Sequence, residues 1–217
     1  MIGASIINRF KSKQTTRTEI INALIKRNDY QSYLEIGVNT PAQPGWSHDS
    51  IAIELKHGVD PNPEVHATFP VPSDEFFAKH IKQNYDIVFV DGDHIFEQAY
   101  RDITNSLQWL NDKGAIVVHD CNPTKEITQR RIRASNVWHG DVWKAILKLR
   151  MERPDIEIRT VNTDEGCGII RKGRQELLPK SEQNMYTYAY FKAHRKTILN
   201  LINVDEFKKR YTQRHTD

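Results

Sequence analysis

The chain has 217 residues, which is enough for one domain with a small additional segment. Lysine and arginine total 31 against 28 aspartate and glutamate residues, so the formal net charge is only +3. A near-neutral body argues against a protein built chiefly to hold nucleic acid, which needs a basic face. No stretch approaches the roughly 20 apolar residues that span a membrane. The two cysteines, Cys121 and Cys167, are too few for a disulfide framework or a zinc site. We therefore expect a cytoplasmic protein with reduced thiols.

The predicted elements run from a helix, through alternating strands and helices, to a hairpin and further helices. Thr16 and Glu19 form a capping box at the start of the first helix, over about residues 16–27. Two continuous apolar runs, residues 86–91 and 115–120, are typical of strands buried on both faces of a parallel sheet. The pattern predicts a three-layer α/β fold. The other predicted strands cover residues 32–36, 58–60, 156–161 and 166–171, and the other predicted helices cover residues 50–56, 73–80, 96–110, 142–149, 188–202 and 204–211.

Ligands of such folds bind at the carboxyl ends of the strands, so the residues after each strand are the candidate site. Gly37 closes the turn after the first strand, and no second or third glycine follows, which favours a cofactor without a pyrophosphate. Asp60 ends the second strand, where a carboxylate can accept hydrogen bonds from ribose hydroxyls. Ser73 and Asp74 stand where they could meet an adenine edge. A plain glycine turn, a turn aspartate and a helix cap are the structural alternatives.

The most distinctive polar residues follow the two apolar strands. Asp91 and His94 are three residues apart at a strand-to-helix turn, so both side chains can face one cleft. Asp120 closes the neighbouring strand, with His119 before it. Two adjacent carboxylates suit a divalent ion such as Mg²⁺ or Mn²⁺. The alternatives are a helix cap for Asp91 and a surface role for His94. The histidines without such partners, which we interpret as structural, are His80, His139 and His194.

Several segments occur in the same order in one known family. They are Tyr33-Leu34-Glu35-Ile36-Gly37, Gly58-Val59-Asp60-Pro61, Ser73-Asp74-Glu75-Phe76-Phe77, Val90-Asp91-Gly92-Asp93-His94, His119-Asp120-Cys121-Asn122-Pro123, Trp138-His139-Gly140-Asp141-Val142-Trp143-Lys144 and Thr163-Asp164-Glu165-Gly166-Cys167-Gly168. Over about residues 30–171 the sequence resembles the class I S-adenosylmethionine (SAM)-dependent methyltransferases, in the bacterial branch called methyltransferase domain 24.

The resemblance implies a three-layer Rossmann-like methyltransferase sheet, mostly parallel with an antiparallel terminal strand, and a helical C-terminal tail. We accordingly expect an N-terminal helical segment at residues 1–30, a SAM-binding domain at 31–172 and the tail at 173–217. The residues expected to contact the cofactor SAM are Glu35, Gly37, Asn39, Asp60, Ser73, Asp74 and Asp91.

The resemblance also implies catalytic groups. Related antibiotic-sugar O-methyltransferases hold Mg²⁺ with one aspartate after a strand and an acidic pair after the next strand. Asp91 matches the first aspartate and Asp120 matches the second acid of the pair. His119 stands where those enzymes have the first acid of the pair. They use as base a histidine at the position of His94. The resemblance therefore implies His94, Asp91 and Asp120 as catalytic residues. It implies Asp91, Asp120 and His119 as ligands of Mg²⁺ or Mn²⁺.

The expected reaction is O-methylation of a sugar, glycan or small glycoside. A sugar hydroxyl needs a base or a metal to remove its proton at neutral pH, whereas an amine or a thiol needs it less. The expected partners are this acceptor and, in a homo-oligomer, a second copy of the chain, with neither nucleic acid nor a membrane.

Three other functions stay open. An NAD-dependent oxidoreductase on a similar sheet is disfavoured by the missing glycines. A base methyltransferase typically carries an Asn/Asp-Pro-Pro-aromatic motif where Asp91-Gly92-Asp93-His94 stands. A non-catalytic methyltransferase-like binding protein would share the fold without needing these strand-end acids and histidines.

Overall fold

A computed structural model describes residues 15–42, 46–180 and 184–213 of the chain. The strands form one seven-stranded sheet in the order β2-β1-β3-β4-β6-β5-β7. The strands are β1 Ser32–Ile36, β2 Leu55–Val59, β3 Tyr85–Val90, β4 Leu110–Val118, β5 Ile156–Val161, β6 Cys167–Lys172 and β7 Leu201–Ile202. The helices are α1 Arg17–Asn28, α2 Ser73–Glu75, α3 Phe96–Gln108, α4 Trp143–Glu152, α5 Tyr188–Ile198 and α6 Val204–Tyr211, and α2 continues as a π-helical turn at Phe76–His80.

The sheet is mostly parallel, as predicted. Strands β2, β1, β3 and β4 pair in parallel, whereas β6 runs antiparallel to both β4 and β5. The antiparallel strand is thus the last one of the predicted SAM-binding domain. The two-residue strand β7 extends the sheet beyond β5, in parallel, through the pairs of Thr160 with Leu201 and Val161 with Ile202.

Helices cover both faces of the sheet, which confirms the three layers. Val88 and Phe89 are successive residues of β3 and point to opposite faces. On the face of Phe89, Leu24 of α1 and Phe207 of α6 complete one buried cluster. The face of Val88 carries the larger cluster, in which the buried helix residues include Ile103 of α3, Trp143 of α4 and Phe191 of α5.

Several sequence-based boundaries are wrong, including the starts of the strands predicted over 58–60 and 115–120, which lie at Leu55 and Leu110. Residues 50–56 are not a helix, because β2 begins at Leu55 and pairs along the buried strand β1. The helix predicted over 96–110 ends at Gln108, and Leu110 already pairs with β3. The helix predicted over 188–202 ends at Ile198, before β7. Neither Ser73 nor Asp74 caps a helix, because the N-cap is Pro72.

The first helix agrees with its prediction, including the capping box of Thr16 and Glu19. Residues 1–14 of the predicted N-terminal segment lie outside the described residues. Cys121 and Cys167 are both buried and neither forms a disulfide. Among the described residues, no helix is long and apolar enough to cross a membrane.

Candidate active site

The carboxyl ends of β1, β2 and β3 open onto a cavity of about 610 Å³, which we call the main cavity. Six of the seven residues predicted to contact a cofactor line it, and only Glu35 does not. Those six are Gly37, Asn39, Asp60, Ser73, Asp74 and Asp91. The predicted residues therefore line one cavity, and their contact with a cofactor stays a prediction.

The turn after β1 is shaped by Gly37 and Asp60. Gly37 has a φ of +83°, and a Cβ atom there would overlap the carbonyl oxygen of Asp91, so any side chain would force β1 and β3 apart. Oδ2 of Asp60 accepts hydrogen bonds from the backbone N–H groups of Val38 (3.1 Å) and Asn39 (3.3 Å). These bonds hold the Asp60 carboxylate in place at the wall of the main cavity.

Ser73 and Asp74 have different surroundings. The Ser73 hydroxyl donates a hydrogen bond of 2.6 Å to Oδ1 of Asp102, which is buried. Asp74 is exposed and pairs with Arg101 at 3.3 Å. Burial raises the pKa of Asp102 to about 6, although hydrogen bonds from Ser73 and Gln98 oppose the shift. Sequence reasoning missed Asp102. Its position next to the apolar stripe of α3 is the feature of the sequence that could have indicated a buried carboxylate.

Glu35 belongs to a separate network. Its side chain is 2% exposed and accepts hydrogen bonds from the Tyr33 hydroxyl (2.9 Å) and from Nδ1 of His48 (2.5 Å). Burial raises the pKa of Glu35, while these two bonds oppose the shift. Glu35 lines a second space of about 350 Å³, which we call the acidic hollow.

The acidic hollow adjoins the main cavity. Five residues line both spaces, which therefore meet at Gly37, Asn39, Asp91, His94 and Trp138. The hollow is lined in addition by Arg17, Glu35, Val38, His119, Asp120, Asn136, Val137, Asp164 and Glu165.

The four strand-end residues predicted to act together do converge here. Nε2 of His94 lies 3.6 Å from Oδ1 of Asp91 and 3.4 Å from Oδ2 of Asp120. Nδ1 of His119 lies 3.3 Å and 3.2 Å from the same two oxygens. One ligand atom each from Asp91, His94 and Asp120 lies within 4.8 Å of the others, and His119 forms a second such group with Asp164 and Cys167.

The acids and imidazoles of this cluster stabilise each other's charged forms. Burial lowers the pKa of His94, but hydrogen bonding to Asp91 and the charge of Asp120 outweigh it, so the net shift is upward. Burial also opposes the charged form of His119, yet Asp91 and Asp120 raise its pKa well above the usual value. The pKa of Asp91 is correspondingly lowered, despite burial, by the charge of His119.

Arg17 brings the first turn of α1 into the acidic hollow. Its Nη1 lies 2.5 Å from Nε2 and 3.1 Å from Nδ1 of His119. The backbone N–H of Arg17 donates a 2.6 Å hydrogen bond to Oδ2 of Asp164, 147 residues along the chain. Nothing in the sequence pattern connects these residues, because the contact joins the first described helix to the turn before β6.

Left-handed backbone is concentrated around the hollow. Asp120, Asp164 and Glu165 have φ values of 57°, 44° and 61°, which cost free energy in residues other than glycine. Two backbone hydrogen bonds tie the Asp120 loop to this turn, from Cys121 to Gly166 and from Asn122 to Glu165. These two bonds therefore keep Asp120 and Asp164 on the same hollow. His139, interpreted as structural from the sequence, contacts Glu165 at 2.7 Å.

The sequence pattern of the methyltransferase domain family matches residues 18–121. This match identifies residues 18–121 as a methyltransferase domain. The matched part contains α1 except for Arg17, the first four strands, and all four of Asp91, His94, His119 and Asp120. A comparison with curated proteins found no match.

Solved methyltransferases share the fold. An O-methyltransferase from Bacillus cereus in complex with S-adenosylhomocysteine (SAH) is 13% identical, with a TM-score of 0.54 over 75% of this chain and 83% of that chain. An SAH-bound methyltransferase from Podospora anserina is 15% identical, with a TM-score of 0.53 over 72% and 78%. The SAM-bound O-methyltransferase TomG from Streptomyces achromogenes is 13% identical, with a TM-score of 0.52 over 72% and 79%.

Proposed function

We propose that this methyltransferase moves a methyl group from SAM to a hydroxyl of a sugar, glycan or small glycoside. The observation that carries the proposal is the junction of the two spaces at Asp91 and His94. A cofactor in the main cavity and an acceptor in the acidic hollow would meet beside a histidine whose Nε2 faces two carboxylates. This juxtaposition suits a transfer that needs proton removal.

The main cavity fits the cofactor. Its volume of about 610 Å³ lies in the range typical of small-molecule sites. In the proposal Asp60 accepts hydrogen bonds from the ribose of SAM, and Gly37 lets the backbone come close to the cofactor. Ser73 and Asp74 lie on the side of the adenine. Asn39 and Asp91 complete the proposed set, whereas Glu35, which does not line the main cavity, is left out of it. The SAM- and SAH-bound relatives support this assignment through the shared fold.

SAM supplies a sulfonium methyl group that is open to in-line displacement. We assign proton removal to Nε2 of His94, which takes the proton of the acceptor hydroxyl as the oxygen–carbon bond forms and the carbon–sulfur bond breaks. Asp91 and Asp120 lie 3.6 Å and 3.4 Å from Nε2 and would stabilise the resulting imidazolium. Their role in the proposal is electrostatic, and neither carboxylate exchanges the proton.

The charge of the acidic hollow supports a neutral acceptor. Five carboxylates line the hollow, and Arg17 is its only lysine or arginine among the described residues. An anionic acceptor such as a phosphorylated sugar would be repelled there, whereas hydroxyl groups can donate hydrogen bonds to the carboxylates. The carboxylates are Glu35, Asp91, Asp120, Asp164 and Glu165.

A divalent metal is an auxiliary part of the proposal. Asp91 and Asp120 offer carboxylate oxygens and His119 offers Nδ1, a mixed set that suits Mn²⁺ better than Mg²⁺. A metal held there would polarise the acceptor hydroxyl. The two carboxylates fit this role well. His119 fits it less well, because the Arg17 guanidinium lies 3.1 Å from Nδ1 and would repel a cation. Proton removal by His94 therefore does not depend on the metal.

Calorimetry with SAM, SAH and NAD tests the cofactor first. We expect SAM and SAH to bind and NAD not to bind, and the reverse pattern would support an oxidoreductase.

The acceptor is tested next, by measuring SAH release with neutral methyl glycosides, their phosphorylated analogues, and amine and thiol acceptors. We expect turnover with neutral glycosides, and SAM binding without turnover on any acceptor would favour a non-catalytic protein.

A further inference from the structure

We infer that Trp138 is a positioning residue for His94, fixing both the plane of its imidazole and the nitrogen that carries the proton. The inference rests on the proposed function in so far as that function gives His94 a proton to accept. The contacts themselves do not depend on it. They come from the segment Trp138–Asp141, which crosses the junction between the main cavity and the acidic hollow.

The tautomer follows from one hydrogen bond. Nδ1 of His94 lies 3.0 Å from the carbonyl oxygen of Trp138. A carbonyl oxygen can only accept, so Nδ1 must carry the hydrogen. In the neutral ring the lone pair then belongs to Nε2, the nitrogen that faces Asp91 and Asp120. A general base at this junction needs its lone pair on that nitrogen.

The plane of the ring follows from stacking. The centroids of the His94 and Trp138 rings are 4.7 Å apart, with 22° between the planes. The indole is itself anchored, because its Nε1–H donates a 2.6 Å hydrogen bond to the carbonyl of Arg130. One residue therefore holds His94 at two places, through its backbone carbonyl and through its side chain.

The backbone after Trp138 secures the same contact. Gly140 has a φ of +56°, and a Cβ atom there would overlap the carbonyl oxygen of His94. The N–H of Asp141 donates a 3.0 Å hydrogen bond to that carbonyl. Oδ1 of Asp141 accepts a 2.7 Å hydrogen bond from the N–H of Phe96 at the start of α3. The turn that carries His94 is thus clamped by the segment that carries Trp138.

Two variants separate the stacking from the space that the indole fills. Trp138→Leu keeps a bulky apolar side chain and the backbone carbonyl but removes the aromatic face. Trp138→Phe keeps an aromatic face and serves as the rescue variant. Trp109→Phe, at the C-cap of α3 and outside both spaces, is the matched control. Circular dichroism and thermal unfolding establish that each variant is folded.

The first readout is ¹⁵N NMR of His94 in the labelled full chain at a pH where the ring is neutral. We expect a single Nδ1–H tautomer in the wild-type protein and in all three variants, because each variant keeps the backbone carbonyl that accepts from Nδ1. The inference is overturned if the wild-type ring carries its hydrogen on Nε2. This readout needs neither SAM nor an acceptor, so it stands apart from a failure of the proposed function.

The second readout is SAH release from SAM with the best methyl glycoside of the acceptor panel. We expect Trp138→Leu to lower kcat by about 10- to 100-fold with little change in the KM for SAM, and Trp138→Phe to restore most of it. In a His94→Ala background, Trp138→Leu should have no further effect, because a residue that acts through His94 has nothing left to position. An equal loss in both backgrounds would contradict the inference.

Discussion

The hydroxyl of Ser73 donates a hydrogen bond of 2.6 Å to Oδ1 of the buried Asp102. Ser73 was predicted from the sequence to line the cofactor site, whereas Asp102 was not identified from the sequence. Asp102 is 1% exposed, and the Ser73 hydroxyl and the amide of Gln98 donate hydrogen bonds to it. A carboxylate in this position favours protonation, which is why its pKa rises to about 6.

We expect Asp102 to make the stability of the protein depend on pH. Its pKa of about 6 in the folded protein is above the ordinary value of 3.8, so its contribution to stability is fully present below pH 3.8 and is lost as the pH rises through 6. The difference corresponds to about 3 kcal/mol. Asp102→Asn should therefore gain stability relative to the wild-type protein between pH 4 and pH 8 in denaturant unfolding. Asp112→Asn, whose side chain is 95% exposed and pairs with Lys172, should follow the wild-type profile over this range. Parallel profiles for all three proteins would refute the assignment.

Asp60→Ala should weaken SAH binding by about 10- to 100-fold, or roughly 1–3 kcal/mol. The variant loses the proposed ribose contact and also the two hydrogen bonds that hold the turn at Val38 and Asn39. Calorimetry measures the affinity. Asp112→Ala is the control, because the Asp112 side chain is 95% exposed and outside both spaces. Unchanged SAH affinity in Asp60→Ala would remove this residue from the cofactor site.

His94→Ala should lower kcat by about 10²- to 10⁴-fold while SAH affinity stays nearly constant. The base must be unprotonated, and the neighbouring carboxylates raise the pKa of His94, so wild-type activity should rise with pH through a value above 6.5. The acid limb of the pH–rate profile should be absent in the variant. His80→Ala, at an exposed site away from the junction, is the control. A variant that retained both its rate and its acid limb would leave His94 without a catalytic role.

Mn²⁺ should raise the thermal unfolding midpoint of the wild-type protein, because an ion that binds only the folded state stabilises it. The effect should be smaller with Mg²⁺ and absent in Asp91→Asn and Asp120→Asn. His119→Ala distinguishes the proposed third ligand, since loss of the Mn²⁺ effect there would place His119 in the site. If neither ion shifts the wild-type midpoint, metal assistance is excluded from the proposal.

Sequence reasoning was most effective where a residue's position follows from the order of strands. Continuous apolar runs identified β3 and β4, and parallel neighbours must bring Asp91 and Asp120 to one edge. The same logic placed Gly37 and Asp60 at the main cavity. Local periodicity failed at Leu110, whose spacing from Leu107 continues the apolar face of α3, although pairing with Tyr85 makes it the first residue of β4.

The residues that sequence reasoning missed are brought in by long-range contacts. Arg17 reaches His119 across 102 residues, and Trp138 meets His94 across 44. The motif around Trp138 contributed to the family resemblance, but no periodicity indicates which ring it stacks against. The position of Asp164 depends on a left-handed turn, and Gly166 is the one residue in the sequence that indicates such a turn. Packing determines such contacts, so they cannot be predicted from the residue pattern of a single sequence.

The bond between Arg17 and Asp164 has a practical consequence for how the protein is divided. A cut at residue 30, at the start of the predicted SAM-binding domain, would remove Arg17 from the acidic hollow and would also uncover the buried cluster that Leu24 of α1 completes. A shortened protein for binding or activity measurements should therefore retain α1 together with its capping box, so that Arg17 keeps its bond to Asp164 and the sheet keeps its cover.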